Sequence, residues 1–425
     1  MRVRNLVPMF ASTVAVRSLM QGAVVALALT GCGNATTSVD MTMPSDLAHT
    51  PGDLSPENLD LSSPIPAATT AVVTTGDFTG MTGTLATIGL TDGKVQKGID
   101  TTLDPSNAVR VINGKVIVLD QIHGAVRFYD PETGYKNPIE IKTGAMSNPH
   151  DIVAVPASSK FYVALYGNKA DVAIGVIDLM PPATDGGAQK PALVKSIAVP
   201  QAAKDPDGIP EVNDLYLCGG FAYVTAQDLD ESKGFAPTGP SRIIALDTTR
   251  DAVDSNLGVI QLVGPNPNGV ARDGTGCDLV LVADAGNQFG ATDGTGGIER
   301  VDLSLRMSKG LAIKDTDLKG HPYTIATASK SLAFTTLTLG MGAGSQVFAF
   351  DPATGKLGAS VGPEAGFIAF AQVTPDGSKL FVGVSSLLGM TKVPAIGVYS
   401  GPADGSMLPA SGADVGQSPS SIAFF

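Results

Sequence analysis

One pattern recurs from about residue 70 to the C-terminus and limits what this chain can fold into. A Pro-x-x-apolar entry leads into a short strand, a turn, a strand rich in Val, Leu and Phe, and an alternating strand that ends in Asp. The entries are Pro105-Ser106-Asn107-Ala108, Pro149-His150-Asp151-Ile152, Pro267-Asn268-Gly269-Val270, Pro322-Tyr323-Thr324-Ile325 and Pro419-Ser420-Ser421-Ile422, with divergent ones at Pro210 to Leu215 and Glu364 to Ile368. The exits are Val126 to Asp130, Ile174 to Asp178, Ile243 to Asp247, Ile298 to Asp302 and Val347 to Asp351, with Ile396 to Tyr399 lacking the Asp and a seventh, Thr84 to Leu90, starting the series. Repeats of about 40–50 residues built from short strands mean a propeller or a solenoid, because one such unit cannot bury its own apolar faces.

Entries and exits are offset. The last entry, Ser420 to Phe424, has no strands after it, and the first exit has only Ala71 to Thr75 before it. Each end completes the other, so the expectation is an all-β, seven-bladed propeller of four-stranded blades, closed by pairing the N- and C-terminal strands. Closure removes the two exposed sheet edges that would otherwise invite aggregation. A six- or eight-bladed ring and two stacked β-sandwiches are the alternatives. With 50 Gly and 29 Pro among 425 residues, the composition suits short strands and tight turns. Asp130-Pro131-Glu132-Thr133-Gly134 and Asp351-Pro352-Ala353-Thr354-Gly355 are near copies that need Pro at fixed φ and Gly at positive φ.

Thr374-Pro375-Asp376-Gly377-Ser378-Lys379-Leu380-Phe381-Val382 resembles the repeat of the YVTN-type propeller family, and Ser158-Ser159-Lys160-Phe161-Tyr162-Val163-Ala164 is similar. The resemblance spans roughly residues 70–425. It implies the propeller fold far more strongly than an activity, since that family includes lactonase-like enzymes and non-catalytic surface proteins. The chain departs from the family where long loops interrupt blades four and five, and it has no Trp, which removes the Trp-Asp signature of WD40 propellers.

The N-terminus carries an address. Arg2, Arg4 and Arg17 precede the apolar run Ala23 to Leu29, which ends in Leu29-Thr30-Gly31-Cys32. A basic head, a short apolar stretch and small residues form a secretory signal, and the run is too short to span a bilayer. Leu-Thr-Gly-Cys resembles the bacterial lipobox, in which the Cys becomes the lipidated first residue. The expected division is a signal over 1–31, a Ser/Thr/Pro/Asp-rich tether over 32–68 and the propeller over 69–425. This implies an envelope protein held to a membrane through Cys32, with Gly33 after it pointing to the outer membrane under the enterobacterial sorting rule. A formal charge of -12 would repel a phosphate backbone, so nucleic acid is excluded as a partner.

Three of the longest insertions, Pro200 to Val212, Gln227 to Ser241 and Asp284 to Gly297, belong to the two loop classes that share one face of a propeller. The entries should ring the channel mouth on that face. They offer Asn107, His150, Asp151, Asn213, Asp214, Asn268, Tyr323, Thr324, Ser420 and Ser421 to one small polar ligand, or else cap strand starts and hold channel water. His150 is the first residue to suspect, since imidazole serves as general base and as metal ligand. With Asp151, Asp214 and His321 it is the candidate holder of a divalent metal in the central channel. Asp284, Asn287 and Asp293 could supply oxygens to calcium, although their spacing matches no EF-hand. Cys218 and Cys277 can form a disulfide or stay as buried thiols. No Gly-Lys-Ser/Thr loop, Gly-x-Ser-x-Gly elbow or His-Glu-x-x-His helix occurs. A non-catalytic propeller binding a ligand or protein therefore stands first, with a lactonase-like or lyase-like enzyme as the alternative.

Overall fold

The computed structural model describes residues 68–425 apart from 183–188, 257, 274–275, 340–343, 366, 386–394 and 401–407. The signal, Cys32 and the tether up to residue 67 lie outside the described residues. Among those described, the strands form seven blades, each an antiparallel meander running from an innermost to an outermost strand. The innermost strands are Ser418–Phe424 (blade 1), Asn107–Ile112 (blade 2), Pro149–Ala154 (blade 3), Val212–Cys218 (blade 4), Pro267–Arg272 (blade 5), His321–Ser329 (blade 6) and Phe367–Val373 (blade 7). They coincide with the seven entries. The exit segments are likewise the third strands, as in Ala125–Tyr129, Gly297–Asp302 and Ser345–Phe350. In blade 4 the outermost strand is split into Ala252–Val253 and Val259–Gln261.

Ring closure follows from the offset. Blade 1 takes its inner strand from the C-terminus and three strands, Thr70–Asp77, Thr82–Gly89 and Val95–Leu103, from the N-terminus. Val73 lies opposite Ile422 and Ala71 opposite Phe424, and reciprocal backbone bonds between Thr70 and Phe425 (2.9 and 3.0 Å) seal the seam.

Why blades rather than a sandwich is visible in the burial pattern. Successive side chains of a strand point to opposite faces of its sheet. In the second strand of blade 2, Lys115–Asp120, Val116 and Val118 pack toward blade 1, while Ile117 and Leu119 pack toward blade 3. Both faces are buried, so the strand reads as an unbroken apolar run. Outer strands see solvent and alternate, as Ile139–Lys142 does. The core is thus a ring of apolar layers, one between each pair of neighbouring blades; the layer between blades 7 and 1 joins Val73 and Ile422 to Phe370, Phe381 and Ile396.

Both Asp-Pro-x-Thr-Gly turns form as expected. Asp130 accepts the amide of Glu132 (3.0 Å) and Asp351 that of Ala353 (2.8 Å), while Gly134 and Gly355 sit at φ 69° and 70°. A Cβ on Gly355 would also lie 2.5 Å from the Ala312 carbonyl oxygen. Cys218 and Cys277 form a disulfide, with their Cα atoms 5.3 Å apart, that links the end of the blade 4 inner strand to blade 5.

Candidate functional site

The innermost strands do not pair evenly with their neighbours. Blade 3 pairs Pro149 with Leu165 and Asp151 with Ala164, passing over His150. Blade 5 passes over Asn268, blade 6 over Tyr323, blade 7 over Ala369 and blade 1 over Ser420, while blade 4 sets Asn213 and Asp214 against Thr225 alone. Six blades therefore bulge at the equivalent residue, and blade 2 pairs without interruption from Asn107. A bulge leaves one residue outside the ladder and redirects its side chain. Here the redirected groups face the axis. Asn107, His150, Asp151, Asn213, Asp214, Asn268, Tyr323, Thr324, Ser420 and Ser421 all line one channel of about 730 Å³.

A polar chain crosses the channel mouth. His150 Nδ1 lies 2.8 Å from Asn213 Oδ1, and its ring stacks on Tyr166 at 4.1 Å between centroids. The Tyr166 hydroxyl donates to Gln227 Oε1 (2.9 Å), whose Nε2 donates to the Pro267 carbonyl (2.8 Å) and to Asn268 Oδ1 (3.1 Å). Asn268 in turn donates to Asn266. Elsewhere on the ring, Asn107 Nδ2 donates to the carbonyls of Thr75 and Asp104, Thr324 bonds Thr336, and Ser421 Oγ accepts the Val109 amide. These bonds hold side chains of different blades in fixed positions, the pre-organisation that a binding site needs.

Charge is concentrated on one side. Arg110 Nε donates to Asp151 Oδ1 at 2.7 Å, and Asp151 also accepts the amides of Ile152 (2.9 Å) and Leu215 (2.8 Å). The second carboxylate, Asp214, accepts a longer bond from Asn213 (3.2 Å). Enclosure within the channel and the adjacent Asp151 charge push its pKa up to about 7, with Arg110 opposing. A carboxyl that exchanges a proton near neutrality suits general acid–base work.

Other sequence expectations are not met. His321 does not face the channel; it is 2% exposed, and its two ring nitrogens lie 2.9 and 3.1 Å from the carbonyls of Ala285 and Gly290. The proposed metal set of His150, Asp151, Asp214 and His321 therefore does not assemble, and Asp151 is already committed to Arg110 and two amides. The Asp284, Asn287, Asp293 calcium loop fails too. Asp284 is fully buried beside Glu299, Asn287 is exposed, and Asp293 caps Thr295 from the surface. Of the three long insertions, the loop after Asp284 sends Gln288 and Phe289 to the channel wall, Gln227 to Ser241 contributes Gln227, and Pro200 to Val212 accepts the amides of Ala170, Gln227 and Asp228 on its carbonyls.

Arg110, Tyr166, Gln227 and Arg272 also line the channel and escaped the sequence reading. A lone Arg in the apolar strand Asn-Ala-Val-Arg-Val-Ile was the available signal for Arg110. Tyr166 and Gln227 follow second strands and carried none. Asp104, Asp120 and His123 also converge, but Asp104 accepts the amides of Ser106, Ile122 and His123, and Asp120 pairs with Arg127 (2.8 Å). They tie the blade 1–2 crossover.

No family model and no curated protein matches the chain. Solved structures do. The periplasmic gluconolactonase of Pseudomonas aeruginosa superposes with a TM-score of 0.60 at 13% identity, covering 84% of this chain and 98% of that one. A putative 6-phosphogluconolactonase from Bacteroides fragilis gives 0.57 at 14%, covering 85% and 99%, and a functionally unknown protein from Desulfotomaculum acetoxidans 0.51 at 11%, covering 84% and 99%. By fold the chain is a closed seven-bladed β-propeller, the architecture it shares with these structures.

Proposed function

We propose that the chain is a lactonase-like hydrolase acting on a small, polar, sugar-derived lactone at the channel mouth. This reverses the order in which the sequence placed the binding scaffold and the enzyme. The observation that carries it is the bulged ring, which sets His150, Asn213, Asn268, Tyr323 and Ser420 around the same channel as a carboxyl, Asp214, whose pKa is pushed up to about 7. Fold likeness to two lactonase-named structures supports the choice of substrate class.

In the proposed mechanism the hydroxyls of the sugar ring bond Asn107, Asn268 and Tyr323. Asp214, as carboxylate, takes a proton from a water that attacks the ring carbonyl. The C–O bond of the ring then breaks, and the same proton passes to the departing alkoxide, leaving a hydroxy acid. Arg110, held by Asp151, supplies positive potential near the developing oxyanion. Purified protein should accelerate hydrolysis of five- or six-membered aldonolactones above the buffer rate in a pH-stat. No acceleration across a panel of neutral and phosphorylated lactones would overturn the reading and return the non-catalytic scaffold to first place.

We also propose that the protein is anchored in the bacterial envelope through a lipidated Cys32, which the Leu-Thr-Gly-Cys motif supports. Cys32→Ala should move the protein from the membrane fraction to the soluble fraction; retention in the membrane would sink the proposal.

A further inference from the structure

The ring of bulges is polar except at one blade. At the bulge, blades 3, 4, 5, 6 and 1 present His150, Asn213, Asn268, Tyr323 and Ser420, whereas blade 7 presents Ala369. Phe367 and Phe370 flank that methyl group and Ala371 follows; Gln372 is the first polar side chain of blade 7 on the channel wall. A gap in a polar ring, bordered by aromatic side chains, lets an apolar part of a ligand leave water without stranding a hydrogen bond.

Local packing fixes this wall. Phe367 meets the Tyr323 ring of blade 6 edge-on, with 6.4 Å between centroids. Phe370 lies opposite Gly383 in the ladder, and a Cβ on Gly383 would run into the Phe370 ring, so the ring fills the space that a side chain would take. Phe289, carried by the loop after Asp284, brings a further ring to the channel. The apolar surface is therefore pre-formed, and a ligand needs little ordering of the protein to use it.

Charge limits the ligand from the other side. The carboxyl and guanidinium groups lining the channel are those of Arg110, Asp151, Asp214 and Arg272, and among the described residues no Lys lines it. Arg110 is paired with Asp151, and Arg272 ends its strand four residues beyond Asn268, about 13 Å toward the opposite mouth. Around Asp214 a phosphate would meet two carboxyl groups and one guanidinium already paired, with no second cation to receive it. The channel, about 730 Å³, is of the size that encloses a drug-sized ligand, larger than one sugar ring.

We propose that the substrate is an uncharged lactone whose polar ring carries an apolar substituent, seated on Ala369 between Phe367 and Phe370. This rests on the lactonase reading above and adds what the lactone carries.

The test compares gluconolactone with its 6-phosphate and with its monobenzyl ethers, one at each hydroxyl, using the full chain. At least one ether should be hydrolysed with a kcat/KM about tenfold or more above that of the parent, and the 6-phosphate about tenfold or more below it. Ala369→Leu, which fills the gap, should bring the ratio of best ether to parent down toward one. Phe367→Ser, which removes a ring instead of adding bulk, should lower the same ratio, so a folding defect in one variant does not decide the matter. Equal rates for the parent and every ether, or a phosphate hydrolysed as fast as the parent, would overturn the proposal. Calorimetry with the corresponding lactams, which keep the ring but resist hydrolysis, separates the two claims. The same ranking of affinities without hydrolysis of any lactone would support the ligand class and overturn the hydrolase, whereas hydrolysis without the ranking would overturn the ligand class alone.

Discussion

Replacing Asp214 by Asn tests the proposed chemistry and the electrostatics together, because the two respond in opposite directions. The change is isosteric, and an amide oxygen can still accept from Asn213 Nδ2. In the folded protein Asp214 holds its proton up to about pH 7, whereas in an unfolded chain it loses it near pH 4. Between those values the folded state binds more protons than the unfolded state, so stability falls as pH rises through that window. Fully enclosed, a carboxyl moved that far would forfeit about 4 kcal/mol; channel water screens this one, and about 2 kcal/mol is the reasonable expectation. Asparagine has no proton to lose. The variant should match wild type at pH 4 and exceed it by about 2 kcal/mol at pH 8, read as the difference in chemical-denaturation free energy. Its lactone hydrolysis should fall by about 10²–10⁴-fold, the usual contribution of a general base, and the rising limb of the wild-type pH–rate profile near pH 7 should disappear. A variant that keeps more than a tenth of the activity would refute Asp214 as the base. One that loses stability at pH 8 would refute the reasoning about its environment.

Opening the Cys218–Cys277 bridge releases a loop with a sequence separation of 59, worth about 4 kcal/mol of chain entropy, so the double Ser variant should melt about 5 °C lower under non-reducing conditions. An unchanged Tm would place the stability of blades 4 and 5 elsewhere. Phe381, 2% exposed and edge-on to Phe424 at 5.2 Å between centroids, sits at the ring seam; Phe381→Ala should cost about 3–5 kcal/mol in denaturant titration, and a loss below about 1 kcal/mol would show the seam to be loosely packed.

Much of the fold was legible because a propeller repeats its local requirements. Every blade needs a turn at fixed places and a second strand that is apolar on both faces, so Pro-x-x entries, Val-rich runs and Asp exits recur and can be counted. The offset between the first exit and the last entry then implied closure without any coordinate. Several channel residues were legible for a related reason: His150, Asn268, Tyr323 and Ser420 occupy one repeat position, directly after the entry Pro, and repetition marks a position even where its residue type varies.

The rest depends on distances between blades. The sequence by itself pointed to seven blades over six or eight, to the seam and to the polar entries, because these are written in local patterns that recur. Only the tertiary structure decided that His321 turns away into its loop while Arg110 reaches Asp151, and that Tyr166 and Gln227 complete the polar chain. These are contacts between segments far apart in the chain, set by where bulges fall and how neighbouring blades pack, and pairwise contact energies of that kind leave no periodic trace in a single sequence.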